Sequence, residues 1–96
     1  MDYKLSKAAE GDLLSIALYG DENFGINASD EYRNRLIRRF ELIAEQPYLY
    51  PSVDHISQGY RRSVLGAHSI YYRIIDTHIE VIRILRSQNA SSQLRD

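Results

Sequence analysis

The sequence predicts an α+β fold in which a helical hairpin packs on a small antiparallel sheet, in the order β-α-α-β-β-β. Two observations lead to it. Apolar residues recur at helical spacing through most of the first half of the 96-residue chain, and residues 60–85 are rich in Val, Ile and Tyr. Blocks of helices and strands that follow one another are typical of this class. We expect a single domain over residues 1–86 and a polar tail over 87–96.

Residues 3–5 form a short predicted strand that is too short to stand alone, so it should join the edge of the sheet. Ser6 has the character of an N-cap, and the first helix should begin at Lys7. This helix presents Leu13, Ile16 and Ala17 on its apolar stripe, and Gly25 should end it.

Asn27 is the predicted start of the second helix, with Asp30 completing a weak capping box. The apolar face of this helix carries the core candidates Leu36, Phe40 and Ile43. Pro47 should end the helix because the residue before a proline avoids the helical conformation. The short connection predicts that the two helices are antiparallel.

The segment 47–59 contains two prolines together with Tyr48, Leu49 and Tyr50, so we expect a loop that packs onto the core. Strands are predicted over 60–65, 68–75 and 78–85, with turns at Gly66-Ala67 and Asp76-Thr77.

A two-residue second turn sets the strand register. It places Ile74 opposite Ile79, Tyr72 opposite Val81, Ile70 opposite Arg83, and Arg73 opposite Glu80. Arg83 then faces inward, where a charge persists only with a partner such as Asp12 or Glu41; alternatively its side chain extends to the solvent at the sheet edge.

Composition excludes several function classes. The chain has no cysteine, so disulfide frameworks and cysteine chemistry are excluded, and it has no apolar run of membrane-spanning length. The first residues lack a signal-peptide pattern, and we expect a cytoplasmic protein. The three histidines are widely spaced, and no phosphate-binding loop or nucleophile motif is present. We therefore expect no metal, no cofactor and no catalytic residue.

Charge is unevenly placed along the chain. Residues 1–57 carry six Lys or Arg against ten Asp or Glu, whereas residues 58–96 carry six Arg against three acids. A basic surface of arginine suits an acidic partner, although the same distribution also serves solubility alone. The candidates for binding a target are Arg61, Arg62, Arg73 and Arg86.

An ordered set of residues along the chain resembles the ParE branch of the RelE/ParE toxin superfamily over about residues 3–86. The set comprises Ser6-x-x-Ala9-x-x-Asp12-Leu13-x-x-Ile16, Phe24-Gly25, Tyr32, Pro47, Gly59-Tyr60-Arg61-Arg62, His68-x-Ile70-x-Tyr72-Arg73-Ile74 and Ile82-Arg83-Ile84-Leu85. The resemblance implies a bacterial toxin–antitoxin operon, a ParD-type antitoxin with a ribbon-helix-helix part, and DNA gyrase as the target. We expect that antitoxin to bind along the first helix, where Leu14, Leu18 and Tyr19 lie beside the apolar stripe, unless the 47–59 loop covers them.

The superfamily also contains RelE-type toxins, which cut ribosome-bound mRNA with a basic cluster on the sheet and a Tyr or His near the C-terminus. Arg61 matches one basic position, but Ser63 and Ser69 stand at two others. Arg86 stands where many ParE relatives have histidine. Three function classes therefore remain: a gyrase-binding toxin, an mRNA-cleaving toxin, and a degenerate binding protein of the same fold.

Overall fold

The computed structural model describes residues 1–86, and its secondary structure follows the predicted order. The elements are β1 (Asp2–Leu5), α1 (Lys7–Phe24), α2 (Ile26–Glu45), β2 (Arg61–Leu65), β3 (His68–Ile75) and β4 (His78–Arg86). The predicted α+β fold is confirmed. The tail predicted over 87–96 lies outside the described residues. Neither helix in residues 1–86 is both long and apolar enough to cross a membrane.

The four strands form one sheet in the order β1-β4-β3-β2. The last three strands make the predicted antiparallel meander, while β1 joins the edge of the sheet parallel to β4. Because β1 pairs only with the first four residues of β4, up to Val81, the rest of β4 has α1 beside it instead of a strand.

The predicted register holds near the second turn and fails farther from it. Ile74 pairs with Ile79 and Tyr72 with Val81, as expected. A β-bulge between Tyr71 and Tyr72 then shifts the ladder, so the prediction that Ile70 lies opposite Arg83 is wrong. Its actual partner is Ile84, because a bulge places one extra residue in one of the two strands.

A single residue, Gly25, connects the two helices. The Ser6 hydroxyl accepts a hydrogen bond from the Ala9 N–H, which confirms the predicted N-cap of α1. Gly25, at φ 88°, ends α1 and is also the N-cap of α2. The prediction that Asn27 begins α2 is therefore wrong: the left-handed glycine reverses the chain by itself, and Asn27 lies inside the first turn.

The core lies between the helical hairpin and one face of the sheet. Leu36, Phe40 and Ile43 of α2 are fully buried there, as predicted. From α1, Leu13 and Ile16 are only partly buried against this core. These residues of α1 thus pack against the core, as predicted, but they are less buried than those of α2.

The 47–59 loop packs onto the core, as predicted: Tyr50 lies against the main core, and the residues after it lie on the sheet face opposite the helices. Val53 is buried there against Tyr71 and Leu85 in a second apolar cluster. The loop also holds the ring of Tyr72 in place, because the Tyr72 hydroxyl donates a hydrogen bond to the Pro47 carbonyl at 2.7 Å. Burial raises the pKa of Tyr72 to about 12, so its hydroxyl keeps the donated proton. The sheet is thus covered on both faces.

Candidate partner-binding surfaces

A groove of about 660 Å³ opens between the helical hairpin and the end of the sheet where β3 begins and β4 ends. Its lining is mainly apolar, and the apolar side chains include Ile16, Tyr19, Phe24, Tyr32 and Ile84. The hairpin can frame a groove because its helices touch closely at one point. A Cβ on Gly20 would lie 2.6 Å from the Ser29 hydroxyl oxygen, so only glycine permits this approach.

One wall of the groove is fixed by Asp12. Its carboxylate accepts two hydrogen bonds from the Arg83 guanidinium, at 2.7 and 2.9 Å, and one from the Ile84 N–H at 2.9 Å. The predicted pairing of Arg83 with Asp12 is confirmed. The hydrogen bond to Asp12 raises the pKa of Arg83. Arg83 lies opposite Tyr71, on the sheet face away from the helices, so the prediction that it faces inward is wrong. The carboxylate neutralises a guanidinium whose side chain is only 25% exposed, and it also satisfies an amide that β1 is too short to reach.

A polar pair lies at the sheet end of the groove. The Tyr32 hydroxyl is 2.6 Å from His68 Nδ1 and donates to the Leu65 carbonyl at 3.1 Å. A hydroxyl has one proton and a carbonyl can only accept, so all contacts are satisfied when His68 Nδ1–H donates to the Tyr32 oxygen. Burial raises the pKa of Tyr32 despite the nearby Arg35.

His68 is held in its neutral form. Burial lowers its pKa first and the Arg86 guanidinium, cross-strand from it, lowers it further, while Asp12 acts in the opposite direction. A depressed pKa in the folded state means that the unfolded chain binds more protons, so the contribution of His68 to stability is present above pH 6.5 and is lost as the pH falls.

We expect the free energy of unfolding to decrease as the pH falls below about 6.5, and His68→Gln to flatten this dependence. Urea unfolding of both proteins at several pH values between about 7 and 5 measures the effect. An identical pH slope for the two proteins would contradict the placement of His68.

The predicted antitoxin-binding residues of α1 are exposed but do not form one patch. Leu14 and Leu18 are 61% and 56% exposed, and the 47–59 loop does not cover them. Tyr19 is also exposed but lines the groove. Adjacent helical residues are separated by 100°, which turns Tyr19 away from Leu18. The helix thus offers an outer leucine pair and a groove-lining ring.

The four predicted target-binding arginines lie in different surroundings. Arg61 donates to the Tyr50 carbonyl at 2.7 Å and stacks on the Tyr48 ring, and Arg73 forms an ion pair with Glu80. The side chains of Arg62 and Arg86 make no hydrogen bond or ion pair with any residue in 1–86.

The sheet separates these arginines further. Arg61 shares its face with Tyr72 toward the helices, whereas Arg62 lies on the opposite face with Tyr71. Arg86 lines the groove. The sheet therefore does not gather the four into a single cluster.

The comparisons with known proteins cover nearly the whole chain. The family model described as ParE toxin of type II toxin–antitoxin system, parDE, matches residues 3–90. The chain belongs to the ParE toxin family. Two relatives, both called Toxin ParE1, support this. The chain is 34% identical to that of Caulobacter vibrioides over 93 residues, covering 96% of each chain. It is 29% identical to that of Mycobacterium tuberculosis over 87 residues, covering 90% of this chain and 89% of the relative.

A solved structure shows the same fold. It is titled "Chromosomal ParDE TA system from P. aeruginosa" and superimposes with a TM-score of 0.75 at 22% identity. The match covers 90% of this chain and 95% of the solved one.

The two serines at RelE-type basic positions do not form an open site in this ParE chain. Ser63 and Ser69 are both 1% exposed. Ser63 faces the helices, where its hydroxyl accepts from Arg39 at 2.8 Å, while Ser69 lies on the other face of the sheet. Neither position presents a charged group to solvent.

Neither the groove nor the Tyr32–His68 pair was predicted from the sequence. These two residues are 36 positions apart, on a helix and on a strand. No spacing in the sequence indicates that Tyr32 and His68 are in contact unless the register of β3 is known. A single histidine at the start of a strand does not by itself indicate a binding site.

Proposed function

We propose that this ParE-family toxin acts by binding, with DNA gyrase as its target, and is neutralised by a ParD-type antitoxin seated in the groove beside α1. The observation that supports this most is the groove itself. It is large, mainly apolar, and rimmed by charged side chains. Exposed apolar surfaces of this kind suit an amphipathic partner segment.

The rim of the groove suits a helical segment with one polar edge. Tyr19 and Phe24 are exposed by 53% and 68% and pack edge to face at 6.1 Å between ring centroids. They offer apolar contact, while Arg86, which also lines the groove, offers a positive charge. An apolar face with a carboxylate beside it would satisfy both.

Neutralisation then follows from occlusion. Arg86 lines the groove and is also one of the proposed target contacts. An antitoxin in the groove covers this arginine, so the toxin cannot present it to gyrase. Arg62, on the outer face of the sheet, is the other of the four candidate arginines whose side chain forms neither an ion pair nor a hydrogen bond with residues 1–86, and it is proposed as the second free contact.

Filling the groove should abolish antitoxin binding. Ala28 is exposed at the groove wall, and Ala28→Trp should lower the affinity for the antitoxin encoded with this toxin by at least about 100-fold, or about 2.7 kcal/mol. Isothermal titration calorimetry with the purified antitoxin measures the change. The matched control is Ala8→Trp, at an exposed position of α1 that does not line the groove.

Leu14 and Leu18 allow a second test of where the antitoxin binds. Leu14→Glu with Leu18→Glu should weaken binding without loss of the fold, because both side chains are exposed in the free toxin. Unchanged affinity in this double variant would confine the antitoxin to the groove. Unchanged affinity in Ala28→Trp would place the antitoxin elsewhere and contradict the proposal.

A second candidate function is RNA cleavage, and one observation favours it. The groove brings a neutral imidazole, a tyrosine hydroxyl and a guanidinium to one place, through His68, Tyr32 and Arg86. Cleavage of RNA without a metal needs groups that transfer protons and hold the phosphate. His68→Ala separates the candidates, since cleavage would fall by orders of magnitude whereas target binding through arginine would change modestly.

A further inference from the structure

The outer edge of the sheet at β2 is only partly covered. Ser52 forms an isolated antiparallel bridge with Arg61, and the Arg62 N–H donates to the Pro51 carbonyl at 3.1 Å. Proline has no N–H, so Pro51 cannot return a hydrogen bond to the Arg62 carbonyl. The covering segment therefore stops pairing at this point.

The register shows which backbone groups remain free. Leu65 and His68 flank a two-residue turn and form a hydrogen-bonded pair, so Ser63 and Ile70 form the next. The backbone groups of Arg62 and Val64 consequently point away from β3. Among residues 1–86, nothing donates to the Arg62 carbonyl and nothing accepts from the Val64 N–H. One residue of an added strand could bond to both groups.

Positive charge flanks this edge. Arg39 donates to the Val64 carbonyl at 2.9 Å and lies over the Tyr50 ring. Arg62 has no partner for its guanidinium among the described residues.

We propose that the β2 edge binds an extended, acidic segment of a partner protein, which adds to the sheet as a fifth strand. Alternate side chains of that segment would face Arg39 on the helix side and Arg62 on the outer side. On the outer side they also meet Val64, which is 55% exposed. The edge does not fit a second copy of this chain, since edge-to-edge pairing would oppose like arginines.

This surface is separate from the antitoxin groove. None of Arg39, Arg62 and Val64 lines the groove. The inference therefore stands or fails independently of how the antitoxin binds.

The probe is a capped peptide that repeats Glu-Glu-Val-Val, about eight residues long, which is within the usual length of a strand. This repeat puts glutamate on both faces of the strand, toward Arg39 and toward Arg62. We expect it to bind at low salt, to protect the Val64 amide from hydrogen exchange, and to bind more weakly as salt rises. The same peptide with lysine in place of glutamate should not bind. Equal binding of both peptides, or no binding of the acidic one at millimolar concentration, would overturn the proposal.

Variants locate the site. Val64→Pro removes the N–H and should abolish binding, and proline is tolerated where an edge amide faces solvent. Val64→Thr keeps the N–H and the β-branch and is the matched control, with binding retained. Arg62→Glu should weaken binding by about fivefold or more. Melting curves verify that each variant is folded.

Binding that survives Val64→Pro in a folded protein would refute strand addition. If Arg62→Glu binds the acidic peptide as tightly as the parent protein does, the proposed preference for an acidic segment is refuted. Sedimentation that shows a dimer lost in Val64→Pro would assign the edge to a second copy of the chain and overturn the proposed partner.

Discussion

Phe40→Ala should lower the free energy of unfolding by about 3–5 kcal/mol. Phe40 is 1% exposed, belongs to the main core cluster, and packs against Tyr3 of β1 with ring centroids 5.5 Å apart. Removing the ring leaves a cavity where α2 meets the sheet. Domains of this size have a total stability of only about 5–15 kcal/mol, so much of the variant should be unfolded and inactive as a toxin.

Phe24→Ala is the matched control for this experiment. The ring of Phe24 is 68% exposed, so its loss should change stability by about 0.5 kcal/mol or less. Urea unfolding of the two variants and the parent protein measures both effects. A Phe40→Ala protein as stable as Phe24→Ala would contradict the core assignment.

Asp12→Ala should destabilise the fold by about 2–3 kcal/mol. The substitution removes both hydrogen bonds to Arg83 and the acceptor of the Ile84 N–H. The side chain of Asp12 is 15% exposed and that of Arg83 is 25% exposed. An unpaired Arg83 guanidinium at this site is therefore costly, but its partial contact with solvent keeps the cost below that of a fully buried charge.

Two further variants divide this effect into its parts. Asp12→Asn removes the charge but keeps an oxygen that can accept from the Ile84 amide, so it should lie between the parent and Asp12→Ala. The double variant with Arg83→Ala should be less destabilised than the sum of the single changes. Additive effects would mean that the ion pair contributes nothing to the fold.

The regular elements of this fold could be predicted because each has a local signal. Ser6 stands before the first apolar stripe, and the strands are bounded by glycine and aspartate turns. The start of α2 was misplaced because Gly25 serves as the end of one helix and the cap of the next. The bulge at Tyr71 and Tyr72 shifted the register for a different reason, because the residues around it continue the strand pattern and carry no turn signal that would mark a bulge.

The binding surfaces were only partly predictable, again for physical reasons. The exposure of Leu14 and Leu18 follows from their positions on α1, and the structure confirms it. The groove is lined by residues of α1, α2, β3 and β4, so the helical hairpin has to pack on the sheet before it exists. The arginines are scattered because neighbouring residues of a strand face opposite sides. Arg61 illustrates this, since contacts with Tyr48 and Tyr50 could not be read from its place in the chain.

The most direct measurement is DNA supercoiling by purified gyrase in the presence of the purified toxin, beside a translation assay with ribosome-bound mRNA. We expect that the toxin inhibits supercoiling, that the antitoxin restores it, and that Arg62→Ala and Arg86→Ala each weaken inhibition in a graded way while mRNA remains intact. Inhibition should also decline as salt rises. Active gyrase together with cleaved mRNA, and loss of that cleavage in His68→Ala, would contradict it.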